Sequence, residues 1–153
     1  MRKGFALVVA LLLAVPAAAQ TQRPMLDYAT AAAMRDACVA YARAHQTSVA
    51  IAIYNDEGRL VTYDVMDGVV NVAGELAQWK GKAAAGYRVS TADMAKWGGG
   101  GVPGVATLPG GVPFFTANGA ALGAIGVSGG SQGADLPCAQ AAVAAAGLRQ
   151  TAN

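Results

Sequence analysis

Ser128-Gly129-Gly130 is the stretch whose composition and position best suit ligand binding. It follows the apolar run Leu122–Val127 and precedes a predicted helix. A strand that leads through a glycine-rich turn into a helix N-terminus presents backbone N–H groups to an anion or a polar ligand. The simpler interpretation is a buried hairpin followed by a turn, and the local sequence leaves both interpretations open.

Side chains with nucleophilic or metal-binding chemistry are few. His45 is the only histidine, and its predicted place at a helix end suits a surface residue that complements the last carbonyls. Ser128 has no base near it in the sequence, and no nucleophile elbow, Walker loop or His-Glu metal motif is present. These observations favour a non-enzymatic binding protein over an enzyme.

Cys38 and Cys138 are the only cysteines. Their spacing and the single histidine do not suit a zinc site. In an exported protein the pair predicts one disulfide, which would close a loop of about a hundred residues and contribute about 4–5 kcal/mol in the chain-entropy model. Two buried free thiols are the alternative.

The first nineteen residues have the features of a secretory signal. Met1-Arg2-Lys3 is basic, Phe5–Val15 is apolar, and Ala17-Ala18-Ala19 is a small-residue cleavage site. The sequence therefore predicts a signal peptide over 1–19, a single domain over 20–153, and a periplasmic or secreted protein. No membrane span is expected after cleavage, because the apolar segment is too short for one.

Removal of the signal changes the charge of the chain. The whole sequence has 11 basic and 9 acidic residues and a net charge of +2. Arg2 and Lys3 leave with the signal, so 11 − 2 leaves 9 basic residues against 9 acidic ones. A neutral chain without a basic run is not expected to bind nucleic acid.

The pattern of apolar runs, caps and turns predicts an α+β fold. Two hairpins with helices between them give an antiparallel β-sheet flanked by α-helices. The predicted elements are a helix from the cap Asp27 to about His45, strands Val49–Tyr54 and Arg59–Met66, a helix Val72–Gly86, a short helix Ala92–Trp97, strands Val112–Phe115 and Leu122–Val127 around Asn118-Gly119, and a last helix capped by Asp135.

Glycines interrupt several of these elements. Gly123 and Gly126 lie inside a predicted strand, where glycine marks a bulge or the close approach of another group. Residues 98–111 contain seven glycines and two prolines, which predicts a long loop within the domain.

An ordered set of short motifs resembles the GlcG/HbpS-like family, a haem-binding or haem-degrading family that includes the C-terminal domain of PduO. Each motif is weak alone, but together they span nearly the whole mature chain in the family's order. They are Ala50–Ile53, Asn55–Gly58, Met66–Gly68, Lys80–Ala84, Ser90–Asp93, Gly110–Pro113, Gly123–Gly130 and Asp135.

The resemblance implies a profilin-like antiparallel sheet flanked by helices, assembled into a homo-oligomer. With the predicted export and an apolar interior, it also implies an exported haem-binding protein. The basic side chains expected to hold the haem propionates are Lys80, Lys82 and Arg88, helped by backbone amides of Ser128, Gly129 and Gly130. His45 and Met66 are the candidate ligands of the iron.

Two other classes of function stay open. Aromatic residues could line a pocket for a small oxygenated acid or aromatic metabolite, with Lys80 binding its carboxylate and Glu75 or Asp67 acting as acid or base. Glu75 and Lys80 could instead form a solvated pair on one helix. The third class is an oligomeric interaction module in which the hairpin edge and the glycine faces mediate oligomerisation. The candidate pocket aromatics are Tyr63, Tyr87, Trp97, Phe114 and Phe115.

Overall fold

A computed structural model describes residues 22–98 and 102–153, so the predicted signal peptide lies outside the described residues. Each predicted helix and strand is present, with ends shifted by at most three residues. The elements are α1 Tyr28–Ala44, β1 Ala50–Asn55, β2 Leu60–Val65, α2 Ala73–Tyr87, α3 Thr91–Met94 with a 3-10 turn Ala95–Trp97, β3 Gly111–Phe115, β4 Ala121–Ser128, a 3-10 turn Ser131–Gly133, and α4 Asp135–Ala145.

The four strands form one antiparallel sheet in the order β2-β1-β4-β3. The two hairpins therefore join through β1 and β4, which pair from Ala50 opposite Ser128 to Asn55 opposite Gly123. This arrangement confirms the predicted α+β fold with two hairpins flanked by helices.

Helices cover both faces of the sheet, because alternate residues of β1 point in opposite directions. Ile51 and Ile53 lie in a core cluster with residues of α1 and α4. Ala50, Ala52 and Tyr54 lie in a second cluster with alanines of α2. The helices α1 and α4 thus share one face, and α2 packs on the other.

A side-chain cap marks the start of α1, and a left-handed glycine follows the end of α4. Asp27 Oδ1 accepts a hydrogen bond of 2.7 Å from the Thr30 N–H, and this bond lowers the pKa of Asp27. Gly147 follows α4 with a φ of 66°, a left-handed conformation that favours glycine after a helix.

A disulfide joins the two helices that share a face. Cys38 of α1 and Cys138 of α4 are bonded, with their Cα atoms 5.0 Å apart and both side chains fully buried. This confirms the predicted pairing and shows no free cysteine.

Gly126 lets α2 lie directly on the sheet. A Cβ added at Gly126 would lie 2.0 Å from the carbonyl oxygen of Ala77 and 2.3 Å from the amide nitrogen of Gly81. No side chain fits in such a space, so the prediction of a close approach at this position is confirmed.

The β3-β4 turn is longer than the two-residue turn that Asn118-Gly119 predicted. Thr116 and Ala120 close the loop through a backbone hydrogen bond of 2.9 Å, and a register shift follows Phe114. Gly119 takes a positive φ of 81°, whereas Asn118 does not. A longer loop with one left-handed glycine and a bulge replaces the tight turn.

Within the described residues, no helix combines the length and apolar character needed to cross a membrane.

Candidate functional site

Lys80 lies on the side of α2 that faces the sheet, and its side chain is 2% exposed. The ammonium group donates to the carbonyl oxygen of Val127 at 3.0 Å, to Ser128 Oγ at 3.1 Å and to Asp135 Oδ2 at 2.8 Å. An ammonium has three donors, so all of them are used within the protein.

Asp135 is the acceptor that neutralises this buried cation. It was predicted to cap α4, but it is the first residue of the helix and forms no side-chain cap. Its second oxygen, Oδ1, accepts a hydrogen bond of 2.7 Å from the Gly130 N–H. The carboxylate therefore holds both α2 and the glycine-rich turn at the start of α4.

The predicted ligand site at the glycine-rich turn does not fit this geometry. Ser128 is 3% exposed and bonds Lys80, and the Gly130 amide bonds Asp135. The anion expected at the turn is thus the protein's own carboxylate. The prediction of a solvated Glu75–Lys80 pair is also wrong, because Lys80 is buried and forms its ion pair with Asp135. Gly129 is exposed and forms no part of this network.

A large cavity lies on another part of the surface, beside the edge strand β3. It has a volume of about 530 Å³, within the range of ligand sites of about 300–1,000 Å³. Its apolar walls come from β3 and β4, from α3 and α4, from the segment that joins α2 to α3, and from the C-terminal segment. The apolar lining residues are Val89, Ala92, Val112, Pro113, Phe115, Ala121, Leu136 and Ala152.

Arg88 supplies the positive charge of this cavity. It forms no ion pair with the described residues, whereas the other lining charge, Asp93, pairs with Lys96 at 2.6 Å. The Lys96 bond and then the Ser90 hydroxyl lower the pKa of Asp93, which stays a carboxylate with its charge balanced. The unpaired guanidinium of Arg88 is therefore suited to a ligand carboxylate.

The C-terminal segment forms a wall of the cavity that the sequence did not predict. Arg149 exchanges two backbone hydrogen bonds with Phe115, at 2.8 and 2.9 Å, and fastens the segment to β3. Gln150 then lines the cavity and accepts a hydrogen bond from Gln140 of α4. An apolar Leu148 after the helix-ending Gly147 was the one sequence signal that the chain returns to the core.

The predicted iron ligands lie elsewhere. His45 lines a separate cavity of about 180 Å³ between α1 and α4, where it stacks on Tyr41 with ring centroids 4.0 Å apart. Its Nδ1 lies 2.8 Å from the Tyr41 carbonyl, which only accepts, so Nδ1 is the donor. Met66 packs against the core cluster that contains α1.

The remaining predicted residues are also dispersed. Lys82 is exposed on α2 and is not part of either cavity lining. Of the five candidate pocket aromatics, only Phe115 lines the large cavity. Phe114 is in the core, Tyr63 covers Gly74, and Tyr87 and Trp97 pack edge to face.

Acidic, histidine and cysteine side chains do not gather into a metal site in the described parts of the chain. The large cavity therefore offers apolar surface, one unpaired cation and amide groups, which suits a ligand with an apolar body and a carboxylate.

The family model described as "Haem degrading protein HbpS-like" matches residues 26–144. The chain belongs to the HbpS-like family. This match spans every helix and strand from α1 to the penultimate residue of α4. No curated protein sequence matches this HbpS-like chain.

Solved structures share the fold along the whole domain. A crystal structure of a PduOC–haem complex is 25% identical, with a TM-score of 0.77, and the match covers 84% of this chain and 99% of that one. A double mutant of HbpS from Streptomyces reticuli is 27% identical, with a TM-score of 0.75 and coverage of 89% and 97%. Protein ORFY of Klebsiella pneumoniae, at 20% identity, a TM-score of 0.75 and coverage of 84% and 95%, shows the shared fold alone.

The buried ion pair predicts unequal effects of removing its two partners. Asp135→Ala leaves the more deeply buried ammonium without a counter-charge and is expected to cost about 3–5 kcal/mol. Lys80→Met replaces the cation with an apolar chain of similar length and leaves a carboxylate that still accepts from Gly130, so its cost is smaller. Urea denaturation with the disulfide intact measures both.

Lys82→Met is the matched control, because Lys82 is an exposed lysine on the same helix. It should change the free energy of unfolding by no more than about 0.5 kcal/mol. An Asp135→Ala variant as stable as this control would show that the ion pair does not support the fold.

Proposed function

We propose that this HbpS-like protein is exported and binds haem in the large cavity beside β3. The observation that carries the proposal is Arg88, which has no ion pair with the described residues and lines a cavity of about 530 Å³ with apolar walls. Membership of the HbpS-like family and the similarity to a protein solved in complex with haem support the choice of ligand.

Haem suits this cavity through its apolar ring and its two propionates. The side chains of Val112, Phe115 and Leu136 would contact the ring, and Arg88 would pair with a propionate. Bound haem would bring a redox-active iron to this surface. The predicted signal over 1–19 and the Cys38–Cys138 disulfide support export, because disulfides persist in oxidising compartments.

A titration of the chain lacking residues 1–19 with hemin tests this proposal. We expect a saturable shift of the Soret band at micromolar protein. Arg88→Ala should weaken binding by about tenfold, since a charge-assisted hydrogen bond contributes about 1.5–3 kcal/mol and part of it is lost to solvent screening.

Lys82→Ala removes the same charge from an exposed position that lines neither cavity, and it should leave hemin affinity unchanged. Either the absence of a Soret shift or equal effects of the two substitutions would contradict binding in this cavity.

We also propose that the protein forms a homodimer through the edge of β2. The opposite edge of the sheet is protected: the Gly111 N–H donates to Thr91, Pro113 has no N–H, and Phe115 pairs with Arg149. The hairpin edge expected as an interface is thus blocked at β3, and β2 is the edge that could accept another strand.

The edge of β2 has features that suit a second copy. The Met66 N–H donates to the Val49 carbonyl oxygen. Hydrogen-bonded and non-hydrogen-bonded pairs alternate along an antiparallel ladder, so the backbone N–H and C=O groups of Tyr63 and Val65 point away from β1. Their side chains are 43% and 51% exposed. Arg59 precedes the strand and Asp67 follows it, so antiparallel self-pairing would bring opposite charges together.

Sedimentation of the purified chain tests the β2 interface. The native protein should be a dimer at tens of micromolar, and Val65→Lys should be a monomer, because a lysine on an edge strand opposes pairing. Leu108→Lys, at a loop residue of similar exposure, should stay dimeric. A monomeric native protein, or a dimeric Val65→Lys variant, would refute this interface.

A further inference from the structure

Iron coordination in proteins uses a small set of side chains. Haem iron is held by histidine, cysteine, methionine or tyrosine. This chain has one histidine, two cysteines, five methionines and five tyrosines. Residues 1–21 and 99–101 contribute only Met1 to this set. The described residues therefore include every internal candidate.

None of these side chains lines the large cavity. His45 and Tyr41 line the smaller cavity, and the two cysteines are joined in the disulfide. The other candidates lie in the core, bond elsewhere or are exposed on other elements. They are Met25, Tyr28, Met34, Tyr54, Tyr63, Met66, Tyr87 and Met94.

The side-chain oxygen atoms that line the cavity are already hydrogen-bonded or are weak bases. Both carboxylate oxygens of Asp93 are bonded, one to Lys96 and one to Ser90. The Gln140 amide donates to Gln150, and the Thr151 hydroxyl donates to the carbonyl oxygen of Asn153. Among the described residues that line the cavity, the charged group without a counter-charge is the exposed guanidinium of Arg88, which recognises carboxylates and does not coordinate metal.

We infer that this cavity recognises the apolar ring and carboxylates of a tetrapyrrole and not its metal. The inference rests on the proposed function, because it concerns the same cavity. It assigns a wider ligand class than haem: planar, apolar dicarboxylates of porphyrin size, with or without a metal at their centre.

A comparison of hemin with metal-free protoporphyrin IX tests this inference. We expect the two dissociation constants to agree within about tenfold, a difference of about 1.4 kcal/mol or less. Arg88→Ala should weaken both by a similar factor. The dimethyl ester of protoporphyrin IX, which lacks both carboxylates, should bind the native protein as weakly as the parent compound binds Arg88→Ala.

His45→Ala and Met66→Leu serve as spectroscopic controls for coordination. Neither should change the Soret band of bound hemin or its affinity. Tight hemin binding with protoporphyrin IX more than about a hundredfold weaker, about 2.7 kcal/mol, would overturn the inference and leave the proposed haem binding standing. Binding of neither compound would overturn both.

Discussion

A single buried ammonium group joins the two helical layers of this protein. Lys80 extends from α2, on one face of the sheet, to the end of β4 and reaches Asp135 at the start of α4, on the other face. A buried charge is tolerated only when its donors are satisfied and a counter-charge is near, and Val127, Ser128 and Asp135 meet both conditions. This requirement for hydrogen-bond partners and a counter-charge holds the end of β4 and the start of α4 beside Lys80.

The large cavity depends on this junction through α4. Asp135 fixes the first turn of α4, which supplies Leu136 to the cavity, and the following turn supplies Gln140. On the other side, the Thr91 hydroxyl accepts from the Gly111 N–H and holds the start of α3 against β3. The protein thus separates two roles of basic residues: Lys80 stabilises the fold, and Arg88 remains available to a ligand.

The fold was predictable because its signals are local. Alternating apolar runs, Asp27 as a cap and Gly126 as a close approach each correspond to one short stretch, and the cysteines had a single way to pair. The role of Lys80 was harder to predict, since its partner is 55 residues away. One helical signal was present: Ala73, Ala77, Lys80 and Ala84 recur at the spacing of one face, which places the lysine among buried alanines.

The candidate site could be predicted only in part. Arg88 was predicted to bind a ligand carboxylate because of its charge. The glycine-rich turn was predicted to bind an external anion, because nothing in the local sequence reveals that Asp135 fills that role. The cavity depends on the pairing of Arg149 with Phe115, a contact without periodicity or composition to signal it. Such tertiary contacts decide which of several plausible basic residues faces a ligand.

Paramagnetic broadening of backbone amide signals by ferric hemin tests most directly whether the ligand occupies the cavity beside β3. With hemin bound to uniformly ¹⁵N-labelled protein, the signals of Val112, Phe115 and Gln150 should broaden, while those of Ser131 and Gln132 beside His45 should persist. Broadening centred on Ser131 and Gln132, with the β3 signals intact, would contradict binding in the cavity beside β3.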